Sequence, residues 1–511
     1  MKKLLKLLLS RMIIIGTLLL AQVIILVVAI WKLQEYFPYF YAASVLLSLL
    51  VTLWVINKDD NPSYKLAWVV PILLFPLFGG SFYLLFGRRH SPKKLGRYLD
   101  QMLERTYPFL EQDEQVMEHL EQADLHIAKQ SRYINDFSHF PVYENTYTEY
   151  LSPGEVKFER LVQELEKAQH YIFLEYFIIQ EGVMWNTILD ILERKVKEGV
   201  DVRVIYDDIG CLLTLPHNYH RVLESKGIRC MVFNPFRPIL SAIMNNRDHR
   251  KILIIDGHTA FTGGINLADE YINVYEKHGH WKDASLLLKG EAVRSLTLAF
   301  LQMWDYKNPS HEDLQAYLPY VHHPSSFVSD GFVQPYSDSP LDKETVGEMV
   351  YLNLINNAKR YIYINTPYLI IDNELVTAIT LAAKSGVDVR IVTPHVADKW
   401  YVHLVTQAFY PQLLAAGVKI YEYTPGFIHS KTFVVDDEVG TVGTINLDYR
   451  SLYLHFECGV WMYQTHALLQ LKQDFLKTLE ICTPITMERC RRFHFWKRLM
   501  QAVLRLFSPL M

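Results

Sequence analysis

The sequence predicts an α/β protein: two α/β sandwich halves related by a pseudo-twofold axis, preceded by an N-terminal transmembrane α-hairpin. Three observations carry that prediction. The pattern His-x-Lys-x4-Asp-x6-Gly-[Gly/Thr]-x-Asn occurs twice, as His249, Lys251, Asp256, Gly263, Gly264 and Asn266, and again as His429, Lys431, Asp436, Gly443, Thr444 and Asn446. The same five letters, Gly199-Val-Asp-Val-Arg203 and Gly386-Val-Asp-Val-Arg390, stand at matching places ahead of the two copies. The hydrophobic excess of the 511-residue chain gathers at its front.

The front is read first. Residues Met12 to Trp31 and Tyr36 to Ile56 carry no charge, and each is long enough to span a bilayer. A cleaved leader fits the first stretch poorly: its apolar run is long, no small-residue cleavage site follows, and a second span comes at once. Leu66 to Gly87 is a third uncharged stretch, interrupted by Pro71, Pro76, Gly79 and Gly80. Lys2, Lys3, Lys6 and Arg11 precede the first span, Lys58 and Lys65 follow the second, and Arg88, Arg89, Lys93, Lys94 and Arg97 follow the third stretch. The positive-inside rule then places both ends of a two-span hairpin in the cytoplasm. Under that rule the third stretch is expected to dip into or lie beneath the cytoplasmic leaflet; a third true span is its rival. The expected location is the cell membrane, multi-pass, with a cytoplasmic catalytic body.

Seven segments are expected: a membrane anchor over 1–60, a membrane-associated segment with its basic cluster over 61–97, a helical linker over 98–150, a first half over 151–306, an inter-half linker over 307–331, a second half over 332–480 and a basic amphipathic end over 481–511. Within the halves, a helix over Glu155–Gln169 precedes a strand over Tyr171–Ile179, and a helix over Lys343–Arg360 precedes a strand over Tyr361–Thr366. Strands follow over Val200–Tyr206 and Val387–Val392, then over Gly227–Phe233 and Gly417–Tyr423, then over Lys251–Ile255 and Thr432–Val435. From Arg489 to Phe507 basic and large apolar residues alternate, which suits either an interfacial helix on anionic lipid or a terminal helix packed on the body.

Each motif copy supplies one imidazole and one ammonium, and an in-line displacement at a phosphodiester needs two imidazoles. Lys251 and Lys431 can neutralise the non-bridging oxygens, and Asn266 and Asn446 can donate hydrogen bonds to them. One neutral imidazole attacks phosphorus while the other, protonated, releases the leaving oxygen as an alcohol. Asp283 and Glu457, each opening an apolar strand after its motif, are the candidates to hold the far nitrogens of the rings. Asp256 and Asp436, the acidic members of the motif, suit pinning of the local turn. Gly263, Gly264 and Gly443 suit close backbone approach or positive φ.

No Asp/Glu/His cluster shows metal-ligand spacing in the sequence, so metal-independent chemistry without a cofactor is expected. The remaining histidines, His322 and His323 among them, read as surface residues. The net charge of −4 offers no global basic field for nucleic acid. Five cysteines, odd in number and without a Cys-x-x-Cys pair, suggest reduced thiols. No obligate protein partner is evident.

On these motifs the chain resembles the phospholipase D superfamily, and more narrowly the bacterial cardiolipin synthases. The narrower likeness adds Asn61-Pro-x-x-Lys-Leu-Ala-Trp68, Leu84-Leu-Phe-Gly-Arg-Arg89, His249-Arg-Lys-Ile, Asn365-Thr-Pro-Tyr368 and Gly443-Thr-Ile-Asn-Leu-Asp-Tyr-Arg450. It implies two phospholipase D-like halves and transfer of a phosphatidyl group from one phosphatidylglycerol to another, giving cardiolipin and glycerol. It also implies a phosphatidyl-histidine intermediate, with His249 as nucleophile and His429 as acid/base. A membrane-bound hydrolase shares the first step and is the alternative. Phosphatidylglycerol and anionic membrane lipid are the expected partners.

Overall fold

In a computed structural model of the chain, the described residues are 37–87, 93–236, 245–306, 312–323, 327–329, 331–341 and 344–510, with Leu20, Val23, Ile24, Val27 and Val28. The expected span Met12–Trp31 lies outside them apart from those last five positions. The described residues form two compact units, one built on 37–87 and one on the residues from 93 onward apart from Pro235 and Phe236.

In the first unit, the uncharged 20-residue helix Phe37–Ile56 is long and apolar enough to cross a membrane. Asn61 caps the next helix, Pro62–Leu74, by accepting the Ser63 N–H at 2.9 Å. The chain then breaks at Phe75–Phe78 and resumes as the short Gly79–Phe82 helix and a widened turn, Tyr83–Gly87. Gly79 comes so close to the Ile72 backbone that a Cβ there would stand 2.5 Å from the Ile72 Cα. The third apolar stretch therefore folds back on itself, and its 13-residue helix is too short to span. Ser48 fastens the fold-back, donating to the Pro76 carbonyl at 2.8 Å and accepting the Gly80 N–H at 3.2 Å.

In the second unit, helices Lys93–Thr106, Glu114–Ala123 and Leu125–Ser138 lead to the first sheet. Its strands are β1 (Thr146–Leu151), β2 (Tyr171–Tyr176), β3 (Asp201–Asp207), β4 (Arg229–Phe233), β5 (Lys251–Ile255), β6 (Thr259–Gly263) and β7 (Ser285–Gly290), in the spatial order β1-β7-β6-β5-β2-β3-β4. The second sheet has β8 (Phe332–Asp338), β9 (Tyr361–Asn365), β10 (Asp388–Pro394), β11 (Lys419–Tyr423), β12 (Thr432–Val435), β13 (Val439–Gly443), β14 (His455–Tyr463) and β15 (Cys482–Pro484), in the order β8-β14-β13-β12-β9-β10-β11-β15. The first seven places repeat the first half strand for strand. The fold is thus a mixed α/β fold with a duplicated domain, β2-β3-β4 and β9-β10-β11 pairing in parallel and the hairpin strands antiparallel.

Burial explains why these strands read as apolar runs. Every residue of β2 is buried, because helices and the other half cover both faces of the sheet. The alternation of the pleat divides them: Phe173, Ile252 and Ile254 join a core continuous with the second half, while Ile172, Leu174 and Leu253 join a second core with the Val183–Lys197 helix. Each such side chain contributes about 1.5–3 kcal/mol of burial free energy. Between the halves, a tight turn over Leu314–Tyr317 leads to the short helix Pro319–His322. His322, expected at the surface, is half-buried, and its ring stacks on His170 with centroids 3.9 Å apart.

Candidate active site

Two short strand pairings between the halves build the site. Arg247–Asp248, just ahead of His249, pairs in parallel with His455–Phe456 at the start of β14. Gly426–Ile428, just ahead of His429, pairs in parallel with His280–Lys282. The ladders continue through the His249 N–H to the Phe456 carbonyl at 2.9 Å and the His429 N–H to the Lys282 carbonyl at 2.7 Å. One register step further, each histidine stands beside the next residue of the opposite half, Glu457 or Asp283.

The pairs are therefore crossed. His249 Nδ1 donates to Glu457, 2.9 and 3.0 Å from its two oxygens, and His429 Nδ1 donates to Asp283 Oδ2 at 2.7 Å. An ionised carboxylate only accepts, so the proton sits on each Nδ1 and each Nε2 is left with its lone pair. Both carboxylates are fully buried and both rings nearly so. Glu457 also accepts from the Ser451 hydroxyl at 2.7 Å and from Thr444. Asp283 instead accepts the N–H of Ala284 at 2.8 Å. At the place of Thr444 the first motif has Gly264, where a Cβ would lie 2.1 Å from Asp283 Oδ1.

Aromatic rings wall the imidazoles. Phe177 meets His249 edge-on at 4.9 Å, and Tyr271, Trp281 and Phe427 surround His429 at 5.6, 5.3 and 5.9 Å between centroids. Lys251 Nζ donates to the His249 carbonyl at 2.5 Å; Lys431 donates to the His429 carbonyl and lies 2.9 Å from His429 Nδ1.

Burial and crowding of positive groups set the protonation states. His249 is held well below the ordinary imidazole value, first by burial and then by Lys251, Lys431 and His429. His429 is pushed down to about 4, by burial and Lys431, against the opposing pull of Asp283. Burial also brings Lys431 down to about 7 and Lys251 to about 8. For Asp283 burial acts upward, but the charges of His429 and Lys431 outweigh it and its pKa falls below the usual value. The result is a buried site in which two lysines stand beside two bare ring nitrogens, suited to bind an anion, attack it and shuttle a proton.

The remaining motif residues are placed as follows. The Asp256 carboxylate accepts the N–H groups of Gln169, His170 and Tyr171 at 2.8–2.9 Å, and Asp436 accepts those of Lys359, Arg360 and Tyr361 at 2.6–2.8 Å. Both sit in hairpin turns with φ of 50° and 55°. Asn266 accepts the Ile178 N–H at 3.0 Å and donates one amide hydrogen to Tyr271 at 2.7 Å. The Oδ1 of Asn446 is buried without a hydrogen-bond partner among the described residues.

Sequence reasoning missed His455, Ser451 and the aromatic walls. His455 corrects two expectations. It is buried rather than superficial, and with His249 and Glu457 it forms a group whose ligating atoms all lie within 4.8 Å of one another. The spacing of His455 and Glu457, two residues apart on a strand, was the available signal, since such residues share a face. These atoms could hold a cation, but Glu457 already serves three donors and the surrounding lysines oppose a second positive charge.

Comparison with known proteins places this architecture. The family described as "Cardiolipin synthase, PLD-like domain" matches residues 161–304 and 351–479, and that described as "Phospholipase D-nuclease N-terminal" matches residues 46–88. An uncharacterised protein of Streptococcus mutans is 44% identical over 90% of this chain and 99% of its own length. A cardiolipin synthase of Geobacillus is 37% identical over 92% of this chain and 93% of its own. Among solved structures, phosphatidylserine synthase from Haemophilus influenzae has a similar fold, with a TM-score of 0.54 at 15% identity over 75% of this chain and 98% of that one. Repeated motif, repeated sheet and near full-length similarity agree, and the chain belongs to the cardiolipin synthase family, built on duplicated PLD-like domains.

Proposed function

We propose that this protein is a cardiolipin synthase that joins two phosphatidylglycerol molecules through a phosphatidyl-histidine intermediate. The observation that carries the reading is the pair of crossed imidazole–carboxylate contacts beside two lysines in one buried site. Binding of the anionic phosphodiester favours proton uptake at His429 Nε2. In the first step His249 Nε2 attacks phosphorus, the bond to the glycerol headgroup breaks, and His429 gives that Nε2 proton to the departing oxygen. In the second step His429 takes the proton from a hydroxyl of the second phosphatidylglycerol. That oxygen attacks phosphorus, the N–P bond breaks, and cardiolipin leaves. The two steps consume two phosphatidylglycerols and yield one cardiolipin and one glycerol.

Electrostatics supports this division of labour. Every leading influence on His249 keeps it neutral, as a nucleophile must be, whereas Asp283 draws a proton towards His429. Lys251 and Lys431 face the phosphate oxygens, and Asn266 and Asn446 border that site. Asp256 and Asp436 act on the chemistry by anchoring the hairpins that carry the motifs. In this reading a pseudo-twofold axis relates the halves, 151–306 and 332–480, joined by 307–331. Residues 1–60 form a two-helix membrane anchor, 61–97 a fold-back at the cytoplasmic leaflet and 98–150 a linker, with the body in the cytoplasm.

The test is the lipid product of purified protein supplied with phosphatidylglycerol. Cardiolipin and glycerol in equal amounts are expected. His249→Ala is expected to lose turnover and the phospho-adduct together; His429→Asn is expected to slow both steps. Phosphatidic acid without cardiolipin from the unaltered protein would instead identify a hydrolase.

A further inference from the structure

The helix Phe495–Phe507 is amphipathic, yet it docks through Gln501, Leu504 and Arg505 and leaves an apolar stripe facing out. Gln501 is buried and donates to the Leu404 carbonyl at 3.3 Å. Arg505 bonds Gln412 at 3.1 Å and lies over the Phe409 ring at 4.3 Å. All three partners belong to the helix Trp400–Ala415. The outward side carries Trp496, Leu499, Met500 and Val503, at the i, i+3, i+4, i+7 spacing of one helical stripe. Trp496 is 67% exposed and the other three are 44–46% exposed. A helix that merely capped the body would turn this stripe inward and leave Gln501 in water.

We infer that this stripe is a docking surface for the anionic bilayer interface and that it seats the opening of the active site on the membrane that holds the substrate. The inference rests on the lipid substrate proposed above. Three observations commit the surface to lipid. Exposed Arg491, Arg492 and Arg498 flank the stripe, as anionic headgroups require around an inserted apolar face. A second copy of the same face would set these arginines against their own kind. The same chain carries a helix long enough to cross a membrane, so a bilayer is at hand.

The location gives the contact its purpose. The Trp400–Ala415 helix begins where the site ends: the charge of Lys399 reaches His249, and Asp398 accepts from the Tyr368 hydroxyl at 2.6 Å. Tyr368 in turn meets Phe427, the ring beside His429. Lys497 lies close enough to His403, in the first turn of that helix, to hold its pKa down together with burial. The start of the outward stripe is thus beside the end of the helix that borders the site. Exposed Trp400 extends the apolar surface there.

The experiment uses the full-length protein in vesicles of phosphatidylglycerol and phosphatidylcholine. Val503→Cys carrying an environment-sensitive fluorophore is expected to be quenched by nitroxide-labelled lipid, and the same label on Glu159→Cys, an exposed position of the first half, is not. Trp496→Ser with Leu499→Ser, both exposed positions, is expected to lower turnover of bilayer phosphatidylglycerol roughly tenfold while leaving turnover of a short-chain, monomeric phosphatidylglycerol unchanged. Absence of quenching at Val503, equal loss on both substrates, or quenching replaced by crosslinking between two protein copies would overturn the inference. Failure of the unaltered protein to make cardiolipin from either substrate would remove the proposed function and leave the quenching result to judge the surface by itself.

Discussion

At the scale of single residues, the two motif copies differ at one place that matters. Thr444 gives its hydroxyl to Glu457, whereas Gly264 vacates the space that Asp283 occupies. Thr444→Ala is expected to lower kcat about tenfold with little change in KM, the size of one hydrogen bond to a charged group. Gly264→Ala is expected to do more harm, because the added carbon meets the carboxylate that orients His429. Steady-state kinetics on both variants checks this. Protonation gives a second expectation. A bound phosphodiester brings negative charge to Lys431, Lys251 and the two imidazoles, whose pKa values burial has lowered to about 7, about 8 and below the usual range. An opposite charge favours the protonated form, so binding at pH 7 should take up on the order of one proton. Calorimetry in two buffers of different ionisation enthalpy measures it, and proton release would contradict it. The paired motif made most of these residues visible in the sequence. His455 could have been found from its spacing to Glu457 on one strand, whereas Ser451 stayed hidden because nothing marks a serine as facing a site until the short helix Tyr449–Tyr453 that carries it is placed.

At the scale of elements, Asp256 and Asp436 do for their hairpins what a cap does for a helix. Each turn adopts positive φ, and each carboxylate gathers three backbone N–H groups from the segment that enters β2 or β9. Asp436→Ala would strand those donors at a cost of about 1–3 kcal/mol for each one left unmet. A lowered Tm is expected, with the surviving folded protein retaining most of its kcat per molecule. Loss of activity without loss of stability would instead make the residue part of the chemistry. The strands themselves were legible to within one to three residues at most ends, since β-branched runs bounded by Gly-Val-Asp-Val leave few alternatives. The broken Leu66–Gly87 stretch was legible too, through its prolines and glycines. The short strand pairs at Arg247–Asp248 and Gly426–Ile428 were not: they have two and three residues, and their partners lie in the other half.

At the scale of the whole molecule, duplication could be read directly, but exchange could not. Asp283 and Glu457 stood out as candidates, yet spacing along the chain assigns each to the histidine of its own half. The strand pairings assign them the other way. A double-mutant cycle separates the two arrangements. The cycle is read on thermal stability, since His249→Ala is expected to have no turnover to compare. His249→Ala and Glu457→Gln share one contact, so their losses should fall far short of additive; Thr444→Ala and Asp283→Asn should combine more nearly additively, since they act on different rings. Additive losses for the first pair would reject the crossed arrangement.

The crossing also bears on how the protein comes into being. During synthesis His249 leaves the ribosome long before Glu457, and until β14 has joined the second sheet the first ring has no carboxylate to hold it. An unfinished chain therefore carries no assembled nucleophile, and the lipid around a newborn enzyme is safe from it until the last strands are in place.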